Sequence, residues 1–183
     1  IRNYGSGNAG TTNTLRVLGT KAGLIVLAGD ILKCILAIAA VRLLFAGGVH
    51  EDMYYLLAMY AALGAILGHD YPFYLGFKGG KGVLVAGGTI LAIQPVLIPF
   101  LAVIFLACLL PTGMVSLGSV TMAALYPVLT ILYGVFRGYS AADLTVCAIG
   151  SVIMGAMVIY MHRSNIQRIR EGKEYRFGRH GKK

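Results

Sequence analysis

The sequence predicts an all-α polytopic membrane protein: a bundle of apolar helices whose polar loops meet at one end. Three observations predict it. Hydrophobic residues are 57% of the 183 residues against 13% charged, and mean hydropathy is +0.76, far above a soluble domain. The apolar residues fall into runs close to the ~20 that a helix needs to cross a bilayer core. The cations crowd into a few loops and the C-terminal tail.

Six segments qualify as spans, in order 23–46, 53–67, 83–93, 96–110, 115–133 and 142–161. The first contains Asp30, Lys33 and Arg42. A charge at mid-bilayer costs roughly 3 kcal/mol, so Asp30 and Lys33, three apart, should pair or line a polar interior. The apolar run 83–110 is 28 residues long and is broken by "IQPVLIP" at Gln94, Pro95 and Pro99. That favours a short helix, a turn and a second helix; one bent, tilted helix is the competing reading. Gly19 to Gly23 and Gly64 to Gly68 have G-x-x-x-G spacing, a sign of close helix packing. Cys34, Cys108 and Cys147 stand alone in apolar runs and read as packing residues.

Charge sets the orientation. The first loop, the loop 68–82, the link near Pro111 and the tail carry 13 of the 16 Lys and Arg: Arg2, Arg16, Lys21, Lys78, Lys81 and eight after His162. The positive-inside rule puts that side in the cytoplasm, with 162–183 as a basic cytoplasmic tail of a single membrane domain. The chain opens without Met on "IRNYGSGN", so a first helix is expected before Ile1, making seven spans in the longer protein.

Four stretches could carry chemistry. "YGSGNAGTTNTLR" (4–16) contains G-x-G-x-x-G, but a dinucleotide fold needs a soluble sheet, and the acidic residue at the right distance, Asp30, lies in a lipid-length run. What survives is a membrane-edge loop in which glycine amides, Ser6, Asn8, Asn13 and the planar cation of Arg16 suit a phosphate. The bland alternative is a polar interfacial loop. "GHDYPFYLGFKGGKGV" (68–83) sets Gly79, Gly80 and Gly82 around Lys81 at a helix start, where free amides attract anions. It departs from a Walker A loop at Leu75 and Gly82, which disfavours ATP. Its Tyr71, Phe73, Tyr74 and Phe77 read as interface anchors. His69 is either an interfacial hydrogen-bonding residue or one that orients a ligand; none of His50, His69, His162 and His180 has Asp five positions on, so a His-x4-Asp acyltransfer pair is absent. "PTGMVSLGS" (111–119) places Ser116 and Ser119 a turn apart at the head of a span, as cap and interhelical bond or as site residues. "HRSNIQRIREGKEYRFGRH" (162–180) follows the last span; its cations suit lipid headgroups, and His162 and Asn165 share a face if the helix continues.

Together and in this order, "GSGNAGTTNTLR", "GHDYPFYLGFKGGKGV", "VSLGS" and "HRSNIQRIREGKE" resemble the membrane glycerol-3-phosphate acyltransferases that use acyl phosphate, the PlsY type. The resemblance covers essentially the whole chain. It implies acyl transfer to the 1-hydroxyl of glycerol-3-phosphate, yielding lysophosphatidic acid and inorganic phosphate for phospholipid synthesis at the bacterial inner membrane. No cofactor, metal or nucleic acid is implied; the partners are the two substrates and membrane lipid. Carried over, it makes Ser6, Arg16, His162 and Asn165 catalytic, gives glycerol-3-phosphate contacts to Gly79, Gly80, Lys81 and Gly82, and makes Glu174 structural; the residues' own chemistry adds Asn8, Asn13, His69, Ser116 and Ser119 as substrate contacts and Asp30 and Lys33 as structural. The proton acceptor is left among His162, His69 and a substrate phosphate. Two departures stand out: Pro111, Thr112 and Gly113 replace a link that often carries Arg, and Gly118 replaces a small polar residue. The alternative class is a transporter of an anionic phosphorylated metabolite, with Asp30 and Lys33 along its path; clustering of the motifs on one face argues against it.

Overall fold

A computed structural model describes residues 1–45 and 53–177. His50, His180 and the end of the tail from 178 lie outside the described residues. Among the described residues seven α-helices follow in order: α1 Thr11–Phe45, α2 Tyr54–Asp70, α3 Val83–Ile93, α4 Leu97–Thr112, α5 Val115–Phe136, α6 Ala141–Met161 and α7 Arg163–Arg170. Of these, α1, α5 and α6 have the length and apolarity to cross a bilayer.

α1 starts twelve residues before the expected span, so the second half of the 4–16 stretch is helical instead of loop. The helix kinks at Gly19, whose φ of 83° is open to glycine at little cost. A Cβ on Gly19 would touch nothing, so the residue is there for its dihedral. Gly23 packs against Leu15 of its own helix across the kink, and neither Gly64 nor Gly68 has a neighbour within 4 Å of a Cβ position. The two G-x-x-x-G pairs therefore do not mark helix interfaces, contrary to the expectation from spacing.

Close packing falls on other glycines. A Cβ on Gly88 would lie 2.6 Å from the Ile31 carbonyl oxygen, joining α3 to α1, and one on Gly155 would lie 2.5 Å from the Ala123 carbonyl oxygen, joining α6 to α5. A Cβ on Gly118 would lie 2.6 Å from the Phe105 ring, which accounts for the missing polar side chain there: α4 and α5 close over that position. Cys34 Sγ lies 3.0 Å from Thr89 Oγ1 and adds a buried polar contact between α1 and α3.

The run 83–110 is two helices. α3 ends at Gln94, whose N–H donates to the Ile90 carbonyl at 2.8 Å, and the chain turns back through Pro95 into α4. Gln94 is fully buried and accepts a hydrogen bond from Thr130 on α5 at 3.2 Å, which pins the hairpin tip. α3 and α4 diverge from that tip, and α5 and α6 complete the far wall of the space between them.

Gly155→Val should lower the thermal unfolding temperature of the detergent-solubilised protein or abolish its folded yield, since overpacking against backbone costs about 1–3 kcal/mol or more. Gly64→Ala should leave that temperature unchanged or raise it, because Ala is the better helix former by about 1 kcal/mol.

Candidate functional site

The space between α3 and α4 is a cleft of about 570 Å³, apolar in depth and polar at its mouth. From Ser116 at the mouth to Tyr126 in the interior, ten residues of α5, it extends about 15 Å at 1.5 Å per residue. Ser6, Asn8, Asn13, Arg16, His69, Lys81, Gly82, Ser116, Ser119, His162, Asn165 and Glu174 all line it. Four stretches, with Ser6 and Glu174 168 positions apart in sequence, thus meet at one end of one cavity.

The first loop is shaped by Asn13. Its side chain is buried and accepts the Ser6 N–H at 2.9 Å, while its Nδ2 donates to the carbonyls of Asn8 at 2.9 Å, Tyr4 at 3.1 Å and Ile1 at 3.3 Å. With its polar atoms spent inside the loop, Asn13 is a brace for Ser6 and not a free contact for a ligand. Asn8 accepts the Gly10 N–H at 2.8 Å and reaches the Gly79 carbonyl at 3.4 Å, and Arg2 donates to the Lys78 carbonyl. These bonds dock the first loop on the glycine loop.

The glycine loop differs in detail from the expectation. The Gly79 N–H donates to the Asp70 carbonyl at 2.9 Å and the Gly80 N–H to the His69 carbonyl at 3.1 Å, so neither amide is open to an anion. A Cβ on Gly79 would lie 1.9 Å from the His69 oxygen, and one on Gly80 1.9 Å from His69 Nε2. These two residues are glycine so that the loop can lie against the end of α2; they border a second cavity behind the loop and not the cleft. Gly82, at φ 69°, turns the chain into α3, leaving the first α3 amides without helical acceptors at the cleft. Phe77 shares the left-handed conformation at φ 57°, one residue before Lys78. Tyr71, Phe73, Tyr74 and Phe77 are exposed.

His69 is held from behind. Lys33 Nζ lies 2.7 Å from Asp30 Oδ1 and 3.0 Å from His69 Nδ1, so the intramembrane charges pair as expected and also fix the imidazole.

The last motif supplies the centre. α6 ends at Met161 and α7 restarts at Arg163, with His162 between them as the terminal residue of both. His162 is buried; its Nδ1 lies 2.7 Å from the Val158 carbonyl, which makes Nδ1 the donor and leaves Nε2 an acceptor. Burial, with the Lys81 ammonium nearby, pulls its pKa down to about 4. Asn165 accepts from Lys81 Nζ and donates to Glu174 Oε1 at 2.7 Å. Glu174 also accepts from Ser116 Oγ at 2.8 Å and from Arg168 Nε at 2.8 Å. Ser119, by contrast, turns its hydroxyl back to the Val115 carbonyl at 3.0 Å. Lys81 is pushed down to about 8, chiefly by burial and then by the Arg168 guanidinium.

Two residues at this site carried no signal in the sequence reading. Tyr175 follows Glu174 and lies under the guanidinium groups of Arg16 and Arg168, at 4.9 and 5.5 Å from ring centroid to Cζ. Gly113, in the link lacking Arg, accepts the Phe177 N–H at 2.6 Å, so the tail segment closes that corner instead of a side chain.

Fold and site define a class: an all-helical integral membrane protein with a cationic, hydrogen-bonding mouth above an apolar cleft. Residues 1–172 match the family model for glycerol-3-phosphate acyltransferase. The chain is 40% identical to the glycerol-3-phosphate acyltransferases of Syntrophomonas wolfei, over 95% of this chain and 81% of that one, and of Enterococcus faecalis, over 100% and 82%. The crystal structure of PlsY (YgiH), an integral membrane glycerol 3-phosphate acyltransferase, in its glycerol 3-phosphate form superposes with a TM-score of 0.78 at 36% identity, covering 97% of this chain and 82% of that one. The chain belongs to the glycerol-3-phosphate acyltransferase family.

Gly80→Ala should drive His69 from its seat and disorder the loop that presents Lys81. Expected is at least a tenfold loss of glycerol-3-phosphate acyltransfer, with the unfolding temperature within a few degrees of the parent; normal turnover would refute this account of Gly80.

Proposed function

We propose that the protein transfers the acyl group of acyl phosphate to the 1-hydroxyl of glycerol-3-phosphate, from the cytoplasmic face of the bacterial inner membrane. The observation that carries this reading is the shape of the cleft: cations and hydrogen-bond donors lie at a mouth that opens onto some 15 Å of apolar lining. Both substrates bear phosphate, and the donor bears an acyl chain. The chain's family membership supports the acceptor, and the concentration of basic residues at the motif end supports a cytoplasmic mouth, with six spans in this chain.

In this reading Arg16 and Lys81 hold the two phosphates, with the first amides of α3 adding donors for an anion. Ser6, Ser116 and Asn165 orient donor and acceptor. Acyl phosphate is a mixed anhydride, so the acceptor hydroxyl attacks its carbonyl directly, the C–O bond to phosphate breaks, and inorganic phosphate leaves. Positioning and charge neutralisation supply the catalysis. His162 accepts the acceptor's O–H at Nε2 and aligns it. With a pKa of about 4 the ring is a weak base. A phosphate oxygen, with a second pKa near 6, is the stronger one, and takes the proton.

Purified protein in detergent, given labelled glycerol-3-phosphate and acyl phosphate, should release lysophosphatidic acid. Activity with an acyl thioester but none with acyl phosphate would overturn the donor; a well-folded protein inert with every donor would favour the transporter. Arg16→Lys keeps the charge and loses the planar fork, so kcat/KM should fall by about a hundredfold, or ~2.7 kcal/mol.

Lys81 also predicts a pH limb. Its pKa of about 8 leaves it charged below that pH and neutral above, so KM for glycerol-3-phosphate should rise between pH 7 and 9. Lys81→Arg, always charged, should flatten that limb whatever its absolute activity. A limb of the same midpoint in the variant would assign it to another group.

A further inference from the structure

We propose that Tyr175 is a positioning residue of the phosphate site: its ring aims the Arg16 guanidinium into the cleft by a cation–π contact, which leaves the cation's N–H groups free for substrate. The proposal rests on the reading of Arg16 as a phosphate-holding group.

The cations at the mouth are held in different ways. Arg168 also lies over the Tyr175 ring, at 5.5 Å, but spends its Nε on Glu174, and Lys81 donates to Asn165. Arg16 forms no ion pair among the described residues, and its guanidinium sits 4.9 Å from the Tyr175 ring centroid. The difference has a chemical consequence. A carboxylate partner would fix a guanidinium by occupying the same fork that a phosphate needs. An aromatic face attracts the cation through the ring quadrupole and occupies none of its five N–H donors with a carboxylate. The cation–π contact therefore orients Arg16 without consuming what it offers. Arg16 is exposed and projects from the short helical piece before the Gly19 kink, so its long side chain needs such a restraint to stay in one rotamer.

The ring is itself tied down from three directions. The Tyr175 hydroxyl donates to the Gly5 carbonyl at 3.3 Å, beside Ser6 in the first loop. Glu174, one residue before, is buried under three hydrogen bonds. Two residues after, the Phe177 N–H is fixed on Gly113. The segment 174–177 is thus a strap from the last motif to the first, with an aromatic platform at its middle.

The test uses the whole chain in detergent with glycerol-3-phosphate and acyl phosphate, and reads KM for glycerol-3-phosphate, kcat and unfolding temperature. Position 175 is replaced by phenylalanine and then, by site-specific incorporation, by mono-, di- and trifluorophenylalanine, which weaken the ring quadrupole at almost constant shape. KM should rise with each fluorine, reaching about three- to tenfold over the phenylalanine enzyme, while kcat stays within about twofold. Tyr175→Leu should match the trifluoro enzyme in KM. A flat KM across the fluorinated series would overturn the proposal, as would a series in which kcat and unfolding temperature fall together at constant KM. Arg16→Lys is run beside it. Impaired binding in that variant with a flat series removes the role of Tyr175 alone; normal binding in that variant removes the phosphate assignment of Arg16 and the proposal with it.

Discussion

The polar end of this protein depends on one carboxylate. Glu174 lies outside every described helix with its side chain 4% exposed, and accepts hydrogen bonds from Ser116 at the head of α5 and from Asn165 and Arg168 on α7. Through Asn165 it is linked to Lys81 and so to the glycine loop. The cations there repel one another: Arg168 and Arg16 both push the Lys81 pKa down, and Glu174 pushes it up. Removing one partner of a buried charge cluster costs about 3–5 kcal/mol, because the remaining charges are left uncompensated. Glu174 is therefore what allows three motifs to converge before any substrate arrives.

The carboxylate also prepares the site for an anion. Donors already turned towards one set of oxygens need little rearrangement to meet another, which is the advantage of preorganised polar groups in a water-poor cavity. The rest of the fold protects that arrangement. Gln94 and Thr130 pin the α3–α4 tip at the far end. Gly88 and Gly155 let α3 and α6 seat directly on neighbouring backbones. The cleft is apolar along α5 and polar where the loops meet, so on the proposed reaction a long acyl chain has one direction in which to lie.

Much of this was legible in the sequence, and the failures share a cause. The helices follow from apolar run length, the α3–α4 hairpin from Pro95 and Pro99, and the convergence of the four stretches from their placement at one set of span ends. Asp30 and Lys33 paired because a bilayer offers no other relief. The glycines were read less well. Spacing cannot separate a glycine needed for its dihedral, such as Gly19, from one needed for a close approach, such as Gly80, or from one facing open space, such as Gly64. Asn13 looked like a ligand contact because its type suits one; only the folded loop reveals that its neighbours' backbone uses all of it. Tyr175 sat in a basic tail with no periodicity to mark it, and acquires meaning from Arg16, 159 positions earlier.

The identity of the proton acceptor follows from the same economy of charge. A histidine with a pKa near 7 at this mouth would be partly cationic and would add to the repulsion around Lys81. Burial, with the Lys81 ammonium nearby, keeps His162 neutral, and the bond from Nδ1 to Val158 fixes the tautomer, with Nε2 able to accept a hydrogen bond. A neutral imidazole can align a hydroxyl, but at a pKa of about 4 it holds a proton poorly. On the proposed reaction the departing phosphate gains negative charge as the acyl carbon leaves it, so its basicity rises at the moment the attacking hydroxyl loses its proton. A proton passed to phosphate neutralises the charge being created, whereas one left on His162 would create an imidazolium beside two cations. On the proposed reaction the burial of His162 therefore suits it to alignment, with the proton passing to the substrate phosphate.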